Sequence, residues 1–184
     1  MSLSIEYLCR ESARIRKKYG ESDPWRLAAA MNIVVHLKEM GKKPTACKGF
    51  YLYKQRKHVI TINSCLSERM RQIVLMHELG HVVLHRNVPK PMGFRDFLLF
   101  DRTDTYEYEA NMFAAEYLLD DDAVISLLND DTFFNYAAEN LRVPPELLDF
   151  KFRILKSKGY KIEPQYIASG DFLRKLKDRG DDEE

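Results

Sequence analysis

The chain has 184 residues, enough for one substantial hydrophobic core with a small helical appendage. Its 29 basic and 28 acidic residues leave a formal charge of +1, which excludes any global electrostatic pull toward nucleic acid or membrane. Hydrophobic content of 45% and charged content of 31% suit an ordinary globular protein, and no apolar run approaches the ~18–20 residues of a membrane span.

The first residues, Ser4-Ile5-Glu6-Tyr7-Leu8-Cys9-Arg10, carry early charges and lack the apolar stretch of a signal peptide, which predicts a cytoplasmic protein. Cys9, Cys47 and Cys65 are odd in number and form no Cys-x-x-Cys pair, so they are expected as buried, reduced thiols. Residues 3–19 are predicted as an amphipathic helix with Ile5, Leu8, Cys9 and Ile15 inward, ended by Gly20. Asp23 caps, and Pro24 opens, a second helix through Ala30. Ile33-Val34-Val35-His36-Leu37 is short and β-branched, hence a strand. Gly49–Tyr53 and Val59–Asn63 flank a polar turn and predict a hairpin. That hairpin either supports the following helix or offers an edge on which a peptide substrate adds as a strand.

The next helix carries the most informative pattern, His77-Glu78-Leu79-Gly80-His81. Ser67 is its expected cap, and residues 68–76 contain neither Gly nor Pro. Positions i and i+4 stack on one helix face, so both imidazoles point the same way and suit a zinc ion. Glu78 then lies beside the ion, where a carboxylate takes a proton from an attacking water. The competing reading is two core histidines that fall four apart. Gly80 lowers helix propensity by about 1 kcal/mol relative to Ala, which makes sense if a neighbouring strand or helix comes close. His85 is one further turn along, about 5.4 Å away, and too far to share the ion; it is expected to pack against or hold a ligand. Leu84 and Asn87 stand where the metzincin pattern needs Gly and His, which excludes that class.

A third ligand must come from elsewhere, and a helix beginning near Tyr106 offers one. Asp104 or Thr105 caps it, and Glu107 shares a stripe with Ala110, Asn111 and Ala114, so its carboxylate faces the core. A core-facing carboxylate is costly without a cation, although an acid in a first turn also suits the helix dipole. Asn111, one turn on, is placed to hydrogen-bond a ligand. Glu109 lies about 200° around the helix from Glu107 and is expected in solvent. Between the two helices, Phe94, Phe97, Leu98, Leu99 and Phe100 form either a wall over the cleft or plain core.

These segments together resemble the ImmA/IrrE family of metallopeptidases: His77–His85 and Glu107–Leu119, with Asp23-Pro24, Leu27-Ala28, Met31-Asn32-Ile33, Lys48-Gly49-Phe50-Tyr51 and Ile60-Thr61-Ile62-Asn63 upstream. The likeness covers roughly residues 3–120, and more weakly reaches about 158. It implies Zn2+, or another divalent ion such as Mn2+, on His77, His81 and Glu107, with Glu78 as general base and Asn111 behind a ligand. It also implies a gluzincin-like unit and, as protein substrate, a helix-turn-helix transcriptional repressor. Asp120 departs from the Pro usual there and unsettles the helix end.

Downstream, Asp120-Asp121-Asp122 should end that helix and cap the next, over Ala123–Leu128. Thr132–Leu141, the Val143-Pro144-Pro145 turn and a helix from Glu146 to about Lys158 resemble half of a helix-turn-helix. Lys151, Arg153, Lys156, Lys158 and Lys161 form a basic run, yet with a single base-reading helix in prospect direct nucleic-acid contact is not expected. From Gly170 a short helix and an unstructured acidic tail are expected. The prediction is therefore an α+β protein: a small antiparallel or mixed sheet packed on a catalytic His-Glu-x-x-His helix, a second metal-bearing helix and a C-terminal helical subdomain. The expected divisions are a zincin-like domain (1–121), the helical subdomain (122–160) and a tail (161–184). Functionally it is expected to be a metallopeptidase, the rival being a non-catalytic module that docks a protein or DNA.

Overall fold

Capping chemistry sets most element boundaries. Ser4 Oγ accepts from Tyr7 N at 3.2 Å to start α1 (Ile5–Tyr19), and Gly20, at φ 69°, closes it in the left-handed conformation that glycine adopts freely. Asp23 accepts from Arg26 N at 2.9 Å, and Pro24 takes the first position of α2 (Pro24–Ala30), where its missing N–H costs nothing. The computed structural model describes residues 3–54, 56–85, 104–129 and 134–162.

Three strands follow: β1 (Val34–Lys38), β2 (Gly49–Lys54) and β3 (Lys57–Asn63). The β2–β3 hairpin is antiparallel, pairing Gly49 with Ile62 and Lys54 with Lys57, whereas β1 runs parallel to β3, pairing Val34 with Val59. The order β1-β3-β2 makes the sheet mixed and puts β3 at its centre, with Ile60 and Ile62 fully buried. An α+β architecture with a small mixed sheet is what the structure has.

Ser67 caps α3 (Glu68–Leu84), its hydroxyl accepting from Met70 N at 3.3 Å. From Ile73 to Val82 every residue of α3 is buried, not only the predicted stripe. The hairpin covers one side and α4 (Thr105–Leu118) the other, so an all-round apolar helix is what the location requires. Gly49 lies against α3 so closely that a Cβ there would sit 2.6 Å from Val74 Cγ1.

Asp104 caps α4, accepting from Tyr106 N at 2.7 Å. Asp120, where proline was the family expectation, accepts from Ala123 N at 3.0 Å and starts α5 (Asp121–Asn129), so the helix end is held by a cap instead of a ring. α6 (Phe134–Asn140) and α7 (Pro145–Ser157) follow, and α7 packs along α4. One continuous hydrophobic cluster runs from Leu8 and Leu27 through Leu75 and Phe113 to Phe150 and Leu155.

The basic run on α7 is largely neutralised from within. Lys151, 1% exposed, pairs with Glu116 at 2.7 Å and with Asp121; Lys158 reaches Glu116 at 2.7 Å and Asp121 at 2.6 Å; Arg153 pairs with Asp149 at 3.1 Å. The three cysteines are free and half-buried, so the expectation of reduced thiols holds while full burial does not. No described helix is long and apolar enough to cross a membrane. The predicted wall at residues 94–100 and the tail from Gly170 lie outside the described residues.

Candidate metal centre

Two adjacent helices supply the site. α3 and α4 touch at Gly80, where a Cβ would stand 3.2 Å from Ala110 O and 3.3 Å from Ala110 Cα and Phe113 Cδ1. The glycine anticipated from sequence thus admits the backbone of α4, and this brings Glu107 over the His77–His81 pair. His77 Nε2 lies 3.1 Å from Glu107 Oε2, His81 Nε2 3.2 Å from Glu107 Oε1, and the two Nε2 atoms 3.1 Å from each other. His77 and His81 are fully buried and Glu107 nearly so.

The hydrogen bonds behind the rings decide what this cluster wants. Asn111 Oδ1 lies 2.8 Å from His77 Nδ1, and a carbonyl oxygen only accepts, so the His77 proton sits on Nδ1. Its Nε2 then presents a lone pair to a carboxylate oxygen 3.1 Å away. A lone pair and a carboxylate oxygen at that separation need positive charge between them, which a proton or a metal ion supplies. A tetrahedral zinc site with ligands at ~2.0–2.1 Å has ligand–ligand edges of about 3.3 Å, close to what the three atoms show. Among the described residues, His77, His81 and Glu107 are the group whose donor atoms converge in this way. The residues fit a divalent ion.

Burial raises the cost of charging Glu107, but the two imidazoles against it outweigh that and hold its carboxyl well below the usual carboxylate range. Glu78, next to His77 on α3, is fully buried.

The structure brings His77, His81, Glu107 and Asn111 together, with Glu78 the residue after His77 on α3, and it corrects one other placement. Glu109 was expected in solvent; it is 1% exposed, and its Oε2 lies 2.9 Å from His85 Nε2. The helical-wheel argument failed because α4 has no free face here: α3, α1 and α7 surround it. The available signal was His85 itself, a third imidazole on the buried face of α3 that needs a polar partner across the interface. Near the cluster, Tyr106 stands edge-on against His85 with centroids 5.0 Å apart, and on the hairpin Tyr51 Oη lies 2.7 Å from His58 Nδ1.

Comparison with known proteins adds the lineage. Residues 28–153 match the family described as Peptidase_M78, IrrE N-terminal-like domain. A protein of Bacillus phage phi105 named "Uncharacterized immunity region protein 2" is 38% identical over 138 residues, covering 75% of this chain and 84% of that protein.

Proposed function

This chain belongs to the Peptidase_M78 (IrrE N-terminal-like) family, a metallopeptidase lineage, and on that premise we propose that it is a zinc-dependent endopeptidase that cuts a helix-turn-helix transcriptional repressor at one site. The observation that carries the reading is the convergence of the His77, His81 and Glu107 donor atoms, with the buried Glu78 following His77 on α3.

When bound, a divalent ion supplies a Lewis acid that lowers the pKa of water toward about 7 and polarises a carbonyl. The protein's residues do the rest. His77 and His81 offer neutral imidazole lone pairs, Glu107 contributes the balancing negative charge, and Asn111 keeps His77 in the tautomer that leaves its Nε2 open. Glu78 takes the proton of the attacking water and returns it to the departing amine. Among the described residues β2 is an edge strand packed on α3, where an extended peptide can be held by backbone hydrogen bonds whatever its sequence.

The repressor as substrate draws on the family and on the phage relative, whose name places it in an immunity region. On this reading the target is a repressor that maintains immunity, and a DNA-bound target is met in the cytoplasm. The alternative, a module that docks DNA through α7, is weakened by the internal ion pairs of Lys151, Arg153 and Lys158.

The test is incubation of the zinc-loaded protein with a helix-turn-helix repressor encoded beside it. One fragment pair should appear, and Glu78→Gln should retain zinc while cleaving 10²–10⁴-fold more slowly, the usual worth of a general base. Normal cleavage by that variant removes Glu78 from its role. No cleavage of any partner, together with a metal-independent DNA shift, favours the docking module.

A further inference from the structure

We propose that His85 and Glu109 are positioning residues that form a relay fixing the tautomer and ring orientation of the metal ligand His81, anchored at its far end by the backbone of Leu3. The proposal rests on the metal-site reading and extends it to residues that never touch the ion.

The polarity of the relay follows from its terminus. A carboxylate oxygen accepts, so His85 Nε2, 2.9 Å from Oε2 of the buried Glu109, carries the proton and donates it. The other carboxylate oxygen, Oε1, accepts from Leu3 N at 2.6 Å. With its proton on Nε2, neutral His85 turns the Nδ1 lone pair toward His81 Nδ1, 3.0 Å away. His81 must therefore donate from Nδ1, which leaves its Nε2 unprotonated and facing His77 and Glu107. His77 reaches the same state through Asn111. Two independent devices thus strip the protons from both nitrogens that face the centre.

The geometry also says how the relay fails. In Glu109→Gln the amide oxygen is the group able to accept from Leu3 N, so the NH₂ turns to His85 and donates to its Nε2. The His85 proton moves to Nδ1, His81 becomes the acceptor there, and the His81 proton relocates to Nε2, in the path of the ion. An isosteric substitution that keeps every heavy atom in place thereby reverses two tautomers.

Ring-nitrogen correlation spectra of the ¹⁵N-labelled, metal-free protein read the tautomers directly, and titration calorimetry reads zinc affinity. In the wild type, His77 and His81 are expected protonated at Nδ1 and His85 at Nε2. In Glu109→Gln, His81 is expected to switch to Nε2–H with His77 unchanged, and zinc affinity to fall 10–100-fold, the usual effect of losing a group behind a metal ligand. His85→Phe, which keeps the ring and removes the acceptor, should lose affinity to a similar degree. A merely structural role would lower thermal stability without moving the His81 tautomer. Wild-type His81 protonated at Nε2, or an unchanged zinc affinity in Glu109→Gln, overturns the relay. Wild type that binds no zinc overturns the metal-site reading instead.

Discussion

Gly80→Ala sets two opposing effects against each other, and the structure gives the winner. In an isolated helix the substitution gains about 1 kcal/mol of propensity. Here the new methyl would stand 3.3 Å from Ala110 Cα and Phe113 Cδ1 and 3.2 Å from Ala110 O. Carbon–carbon contact is comfortable at about 3.5–4.0 Å, so α4 must retreat by roughly 0.2–0.5 Å. The Phe113 ring can turn, but Ala110 offers only backbone, inside a fully buried helix–helix contact. Overpacking of this kind typically costs about 1–3 kcal/mol, so the net effect is expected as a loss of about 0–2 kcal/mol. The functional effect should be larger. Ala110 lies between Glu107 and Asn111, the two α4 residues that touch the histidines, and metal ligands tolerate displacements of only about 0.2 Å. Chemical denaturation of the metal-free protein and zinc titration of the same sample separate the two. Weaker zinc binding with equal or lower stability is the expected result. A variant that is stabilised by about 1 kcal/mol, with zinc affinity intact, would refute the close-packing argument.

Glu107→Ala should lose stoichiometric zinc, leaving two imidazoles facing each other, and chelation should lower the wild-type melting temperature while leaving that of the variant unmoved. For Asp121, burial pushes its carboxyl up, but hydrogen bonds and charge from Lys151 and Lys158 bring it below its ordinary value. A depressed carboxylate contributes stability above its unfolded pKa and loses it as pH falls, so Asp121→Asn should cost about 1–2 kcal/mol at pH 7 and progressively less below about pH 4, measured by denaturation at each pH. Burial, reinforced by Glu116, pushes the Cys9 thiol up to about 11. Its alkylation at pH 8 should run roughly a hundredfold slower than that of an unperturbed thiol and accelerate only as pH approaches 11; a rate equal to that of free cysteine would contradict the burial.

Local chemistry was legible in the chain before any coordinates. Asp23 and Ser67 each cap the helix that follows them, and Asp104, one of two candidates, caps α4, because a cap needs only a short polar side chain and the next three N–H groups. The His77–His81 pair was legible for the same reason, since spacing along one helix fixes relative direction. Glu107 as third ligand depended on an amphipathic stripe and a family resemblance, and Gly80 hinted at a close neighbour without naming it. What only tertiary structure decided is how many sides of each helix are covered. α4 is packed against α3, α1 and α7, so the face assigned to water holds Glu109, and Lys151 of the basic run on α7 turns inward to Glu116 and Asp121. A helical wheel records angle, whereas burial depends on which neighbours arrive from distant parts of the chain; no periodicity within a single helix encodes that.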